Sequence, residues 1–130
     1  MRSVSEIGVL GAGTMGTGIA QVAALGGYPT RVYDALPGAA EKGVARIGEV
    51  LARGASRGRW SEDAAEAARR RVGAVTDLGE LAGCDLVIEA APEDVELKRE
   101  LFTKVAEACG PETVLATNTS SLRVSEIAAG

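Results

Sequence analysis

The sequence predicts an α/β fold, a parallel sheet with helices packed on both faces. Two observations carry this. Short apolar runs alternate with amphipathic stretches along the chain, the pattern of repeated strand–helix units. The first run leads into a glycine-rich turn, Gly11–Gly16, where the chain can bend sharply from strand to helix.

Taken in order, Glu6–Leu10 is the first strand and Thr14–Leu25 the first helix, which Gly26-Gly27 ends. Thr30–Tyr33 is the second strand, stopping at Asp34. A longer helix follows, with Val44, Ile47 and Leu51 on one face. Gly54–Trp60 reads as a basic, glycine-rich break. Ser61 then caps a helix over Glu62–Arg70, whose N-terminal end Asp63 and Glu66 favour. Val72–Val75 is a third strand and Leu78–Leu81 a helical turn. Asp85–Glu89 is a fourth strand, because Leu86, Val87 and Ile88 form a continuous buried run. Pro92 breaks that run before a helix over Asp94–Ala108, with Leu97, Leu101, Val105 and Ala108 facing inward. Thr113–Ala116 is a fifth strand, and Ser125–Ala129 opens another helix, with Ser121 expected to cap it.

The chain has 130 residues, enough for one domain with a real core. Aromatic residues are only 3%, so the core must be built from Ala, Val, Leu and Ile. A net charge of −4 gives no general attraction to nucleic acid or to an anionic membrane. Arg53, Arg57, Arg59 and Arg69–Arg71 cluster locally and read as a solvated helical face or an anion site. Cys84 and Cys109 lack metal-ligand spacing and read as reduced, buried thiols. The apolar run Ile7–Leu25 is too interrupted by glycine to span a bilayer, so a cytoplasmic protein is expected.

Gly11-Ala12-Gly13-Thr14-Met15-Gly16 fits G-x-G-x-x-G, and it does so between a predicted strand and a predicted helix. In that setting Gly11 allows the tight turn and Gly13 the close approach of a pyrophosphate. Gly16 lets helix and strand pack closely, and the helix N-terminus faces the phosphates. Asp34 ends the second strand near the roughly twenty-residue spacing of a ribose-binding acid. A carboxylate there accepts hydrogen bonds from ribose hydroxyls and repels a 2′-phosphate. The motif therefore predicts a Rossmann-type domain that binds NAD in preference to NADP. Arg31 carries the opposite charge, but it lies inside the strand rather than after it.

Three further segments resemble the 3-hydroxyacyl-CoA and 3-hydroxybutyryl-CoA dehydrogenases. These are Gly11–Gly18 with Ile19-Ala20-Gln21, then Val87-Ile88-Glu89-Ala90 with Glu93 and Glu96-Leu97-Lys98, then Asn118-Thr119-Ser120-Ser121-Leu122. The resemblance covers essentially the whole chain in order and spacing. It implies that Glu93 and Lys98 hydrogen-bond the nicotinamide-side ribose and that Asn118 lies beside the nicotinamide. Ser120 would touch the substrate oxygen, with Arg53 and Arg57 as candidates for holding coenzyme A.

In that family a histidine downstream of the Asn-Thr-Ser-Ser segment is the general acid/base, and this chain contains none. The resemblance also implies an acyl-CoA substrate and a C-terminal helical domain that makes a homodimer. Residues 1–130 are thus expected to be the NAD-binding domain, truncated at its C-terminal end and inactive alone. Two other readings stay open: a non-catalytic nucleotide-binding module, and a dehydrogenase of a non-CoA hydroxy acid.

Overall fold

A computed structural model describes residues 5–90, 95–109, 113–116 and 121–123. Four parallel strands and their helices follow the predicted alternation. They are β1 (Ile7–Leu10), α1 (Thr14–Leu25), β2 (Thr30–Tyr33), α2 (Ala39–Ser56), α3 (Glu62–Arg71), β3 (Val72–Ala74) and β4 (Leu86–Glu89). A 3-10 turn over Leu78–Leu81 precedes β4. Then come α4 (Val95–Ala108), β5 (Val114–Ala116) and β6 (Ser121–Arg123). The strand order is β3-β2-β1-β4-β5-β6, parallel except for β6, which runs antiparallel to β5. The order reverses beside β1, and there the neighbouring helices diverge to leave a crevice at the strands' carboxyl ends.

Strand alternation divides the core between the two faces. Ile7, Val9 and Val32 point toward α1–α3, where they meet Ala20, Ala24, Ile47, Leu51, Ala65 and Ala68. Leu10, Val87 and Leu115 point the other way, onto Leu78, Leu81, Leu101 and Val105. The buried side of α1 is Gly16, Ala20 and Ala24, so a helix of small residues lies close on the sheet. Its C-terminal carbonyl at Ala24 accepts from the Arg71 guanidinium at 2.9 Å. Asp85 ties together the amino ends of the central strands β1 and β4, accepting from Ser5 N at 2.8 Å and Ser5 Oγ at 2.6 Å.

Several expectations are corrected. The parallel sheet of β1–β5 gains an antiparallel edge strand that was not expected: Ser121, read from sequence as a helix cap, lies in β6, paired with Ala116. Its segment alternates Ser-Leu-Arg beside the free edge of β5, which suits a short strand. The helix expected over Ser125–Ala129 lies outside the described residues. α2 runs through Gly54 to Ser56 rather than breaking there. The Trp60 indole packs on Gly54 and donates to the Leu51 carbonyl at 2.8 Å, so this glycine serves a contact and not a break. Leu86 and Ile88 are only half-buried, whereas Val87 and Glu89 are buried. The run is therefore buried in alternation rather than continuously.

Ser61 caps α3 as predicted, accepting from Ala64 N at 3.0 Å. Both thiols are buried and unbridged. Burial pushes Cys84 up to about 12, with the nearby Glu6 carboxylate adding to the shift. Burial also raises Cys109. Unfolded thiols ionise near pH 8.5, so the stability contributed by Cys84 is complete below that pH and is lost as pH rises toward 12. The folded chain is expected to resist iodoacetamide at neutral pH and to react at its unfolding rate in urea. Fast labelling of the native chain, followed by mass spectrometry, would contradict this burial.

Candidate functional site

The site begins where β1 ends. Gly11 takes φ +108, and its N–H donates to the Tyr33 carbonyl at 2.7 Å, extending the β1–β2 ladder into the turn. Gly13 stands as the N-cap of α1 without any side-chain cap, and no acidic residue occupies the first turn. The first N–H groups of α1 therefore point out of the helix at its positive end, a ready anion site. A Cβ on Gly13 would meet nothing within 4 Å, so the backbone there lies open to a ligand. A Cβ on Gly16 would run into the Gly11 carbonyl, with the Val9 side chain 3.5 Å away. Gly11 thus makes the turn and Gly16 the close helix–strand contact, while Gly13 leaves its backbone uncovered.

Asp34 follows β2 directly and faces this turn. Its Oδ2 accepts from Ala12 N at 2.7 Å and its Oδ1 from Leu36 N at 2.9 Å. Each oxygen keeps a second lone pair for a ribose hydroxyl. A cleft of about 620 Å³ joins these features, lined by Gly11, Gly13, Thr14, Met15, Asp34, Ala35, Leu36 and Ala90. Met15 and Leu36 are 57% and 68% exposed and form an apolar rim. A larger groove, about 860 Å³, runs between α2 and α3, but Glu41, Glu49, Glu62 and Glu66 line it beside Arg69. That excess of carboxylates repels phosphate, so the smaller cleft is the candidate for a dinucleotide.

Arg31 cannot reach this cleft. Its guanidinium pairs with Glu6 and donates to the Glu80 carbonyl at 3.1 Å, toward the amino end of β1 and away from the strands' carboxyl ends. Arg69 and Arg70 both face Glu66, and Arg71 holds α1, so this part of the basic cluster is internally paired. Arg53 and Arg57 lie exposed at the end of α2. Lys98 falls in the first turn of α4. Glu93, Asn118 and Ser120 lie outside the described residues.

Two residues went unassigned from sequence. Arg46, on α2, donates to the Ala12 carbonyl at 2.7 Å. Glu89 ends β4 at 1% exposure, in register with Leu10 at the floor of the crevice. A carboxylate closing an apolar strand was the available signal for Glu89. Arg46 gave none, since its partner lies far away in sequence.

Turn, carboxylate and switch-point cleft together define a dinucleotide-binding domain of the NAD class. The family model of the 3-hydroxyacyl-CoA dehydrogenase NAD-binding domain matches residues 6–130. The chain belongs to that family, and its cofactor is NAD. It is 43% identical, over 99% of its length, to the 3-hydroxyadipyl-CoA dehydrogenase of Escherichia coli K12, of which it covers 27%. It is 44% identical, over 97% of its length, to a probable 3-hydroxybutyryl-CoA dehydrogenase of Bacillus subtilis, of which it covers 44%. The crystal structure of 3-hydroxybutyryl-CoA dehydrogenase from Escherichia coli K12 superposes with a TM-score of 0.86 at 42% identity. That alignment covers 98% of this chain and 27% of the other. The chain thus spans less than half the length of these relatives.

Proposed function

We propose that the chain is the cofactor-binding part of an enzyme that moves a hydride between NAD and a 3-hydroxyacyl-CoA. The carrying observation is the coupling of Asp34 to the phosphate turn through Ala12 N, at the mouth of the cleft. NAD supplies the hydride acceptor when bound. The chain's own residues bind and orient it: the N-terminus of α1 takes the diphosphate and Asp34 the adenosine ribose. In this reading Glu93 and Lys98 hold the second ribose, and Asn118 lies beside the nicotinamide. Ser120 donates to the substrate oxygen, while Arg53 and Arg57 meet the coenzyme A phosphates. The same reading takes the complete protein to be a cytoplasmic homodimer joined through a C-terminal helical domain. Among the described residues no helix is long and apolar enough to cross a membrane.

Titration of NADH and NADPH against the chain and its Asp34→Ala variant tests the cofactor half of this reading. A hydrogen bond to a charged group contributes about 1.5–3 kcal/mol, so Asp34→Ala is expected to weaken NADH roughly 10- to 100-fold. The preference for NADH over NADPH should shrink with it, because the repelling charge is gone. Equal affinity for both cofactors in the unsubstituted chain would remove Asp34 from this role.

A further inference from the structure

We propose that Arg46 is a positioning residue for the cofactor diphosphate, acting through the Ala12–Gly13 peptide. The proposal rests on the reading that the cleft takes NAD. Ala12 is held from two sides: its N–H by Asp34 and its carbonyl by Arg46, each at 2.7 Å. The two holders come from different elements, the end of β2 and the middle of α2. α2 also lies hard against the turn. A Cβ on Gly43 would sit 3.0 Å from Ala12 Cβ and 3.1 Å from Thr17 Cγ2, so the turn has no room to shift toward the helix.

The Ala12–Gly13 peptide is trans, and in a trans peptide the C=O and N–H point in opposite directions. With the Ala12 carbonyl drawn toward Arg46, the Gly13 N–H is turned away from α2. Gly13 lies between the dinucleotide cleft and a neighbouring recess and lines both, whereas Ala12, Arg46 and Lys42 line the recess and not the cleft. Arg46 therefore keeps the carbonyl on the recess side and the donor free for the cleft. A flipped peptide would exchange a donor for an acceptor at the positive end of α1, where an anion is to bind. The guanidinium suits the task because it stays charged and its planar donor array is pre-organised.

Arg46→Met retains most of the aliphatic stem and removes the donor. Lys42→Met removes one positive charge from the same recess and serves as the electrostatic control. Three quantities are read for each: the thermal midpoint, NADH affinity, and the amide chemical shifts of Ala12 and Gly13 in the cofactor-free chain. Arg46→Met is expected to keep its midpoint within a few degrees and to bind NADH about tenfold more weakly. Its Ala12 and Gly13 amides should be displaced before any cofactor is added. Lys42→Met should leave those amides in place and cost much less affinity. Unchanged NADH binding by Arg46→Met overturns the proposal, as does equal weakening by Lys42→Met with unmoved amides. Failure of Arg46→Met to fold overturns it as well, because the residue is then structural. If the unsubstituted chain does not bind NADH, the reading of the cleft falls, and this proposal with it.

Discussion

Gly16→Ala is expected to abolish measurable NADH binding and to cost the fold about 3 kcal/mol, at the upper end for an inserted methyl in a packed site. The new Cβ would overlap the Gly11 carbonyl oxygen and lie 2.8 Å from the Gly11 carbonyl carbon. Both obstructing atoms are backbone. They are fixed by the hydrogen bond from Gly11 N to the Tyr33 carbonyl and by the positive φ of Gly11. No flexible side chain can swing aside, so α1 must retreat and carry its N-terminal N–H groups away from the cleft.

Gly18, two residues on in the same helix, is the internal control. Its Cβ would meet nothing within 4 Å. Gly18→Ala should therefore stabilise the chain by roughly 0.5–1 kcal/mol through helix propensity alone, leaving NADH affinity near normal. Urea unfolding and NADH titration of both variants decide the matter. Gly16→Ala binding NADH within threefold of the parent chain would mean that the turn is built differently.

The contrast between these glycines marks what was legible in the sequence. Strand-to-helix units are written locally, in apolar runs and glycine turns, and α1 and β2 begin and end where the pattern places them. The spacing from Gly16 to Asp34 made the carboxylate legible too, because a strand-ending acid at that distance has a known geometric use. Its bond to Ala12 N could not be read, since it spans 22 residues. The Arg46 bond spans 34 and was equally silent. Gly54 misled in the opposite sense. A glycine in a basic stretch reads as a break, yet its missing side chain makes room for the Trp60 ring inside a continuing helix. β6 was missed because three residues give too little alternation to distinguish a strand from a polar turn. Sequence pattern reported the elements, then, and tertiary contact decided which residues around them act together.

The second large effect concerns turnover. We expect a chain of these 130 residues to bind NADH and yet to reduce acetoacetyl-CoA at no more than ~10⁻² to 10⁻⁴ of an intact dehydrogenase's rate. Reduction of the ketone needs a proton delivered to the oxygen as the hydride arrives at carbon. Positioned general acid catalysis typically contributes ~10²–10⁴-fold. The chain contains no histidine, the side chain whose ordinary pKa suits that exchange near neutral pH. The two thiols are no substitute: Cys84 is fully buried, and Cys109 is 7% exposed with its Sγ directed at the Leu81 carbonyl. Asp34 is committed to Ala12 N and Leu36 N beside the phosphate turn. NADH absorbance followed with acetoacetyl-CoA gives the rate, and a parallel NADH titration shows that the cleft is formed. Binding without turnover is the expected pair of results. Turnover at the rate of an intact dehydrogenase would show that some other group in the chain delivers the proton.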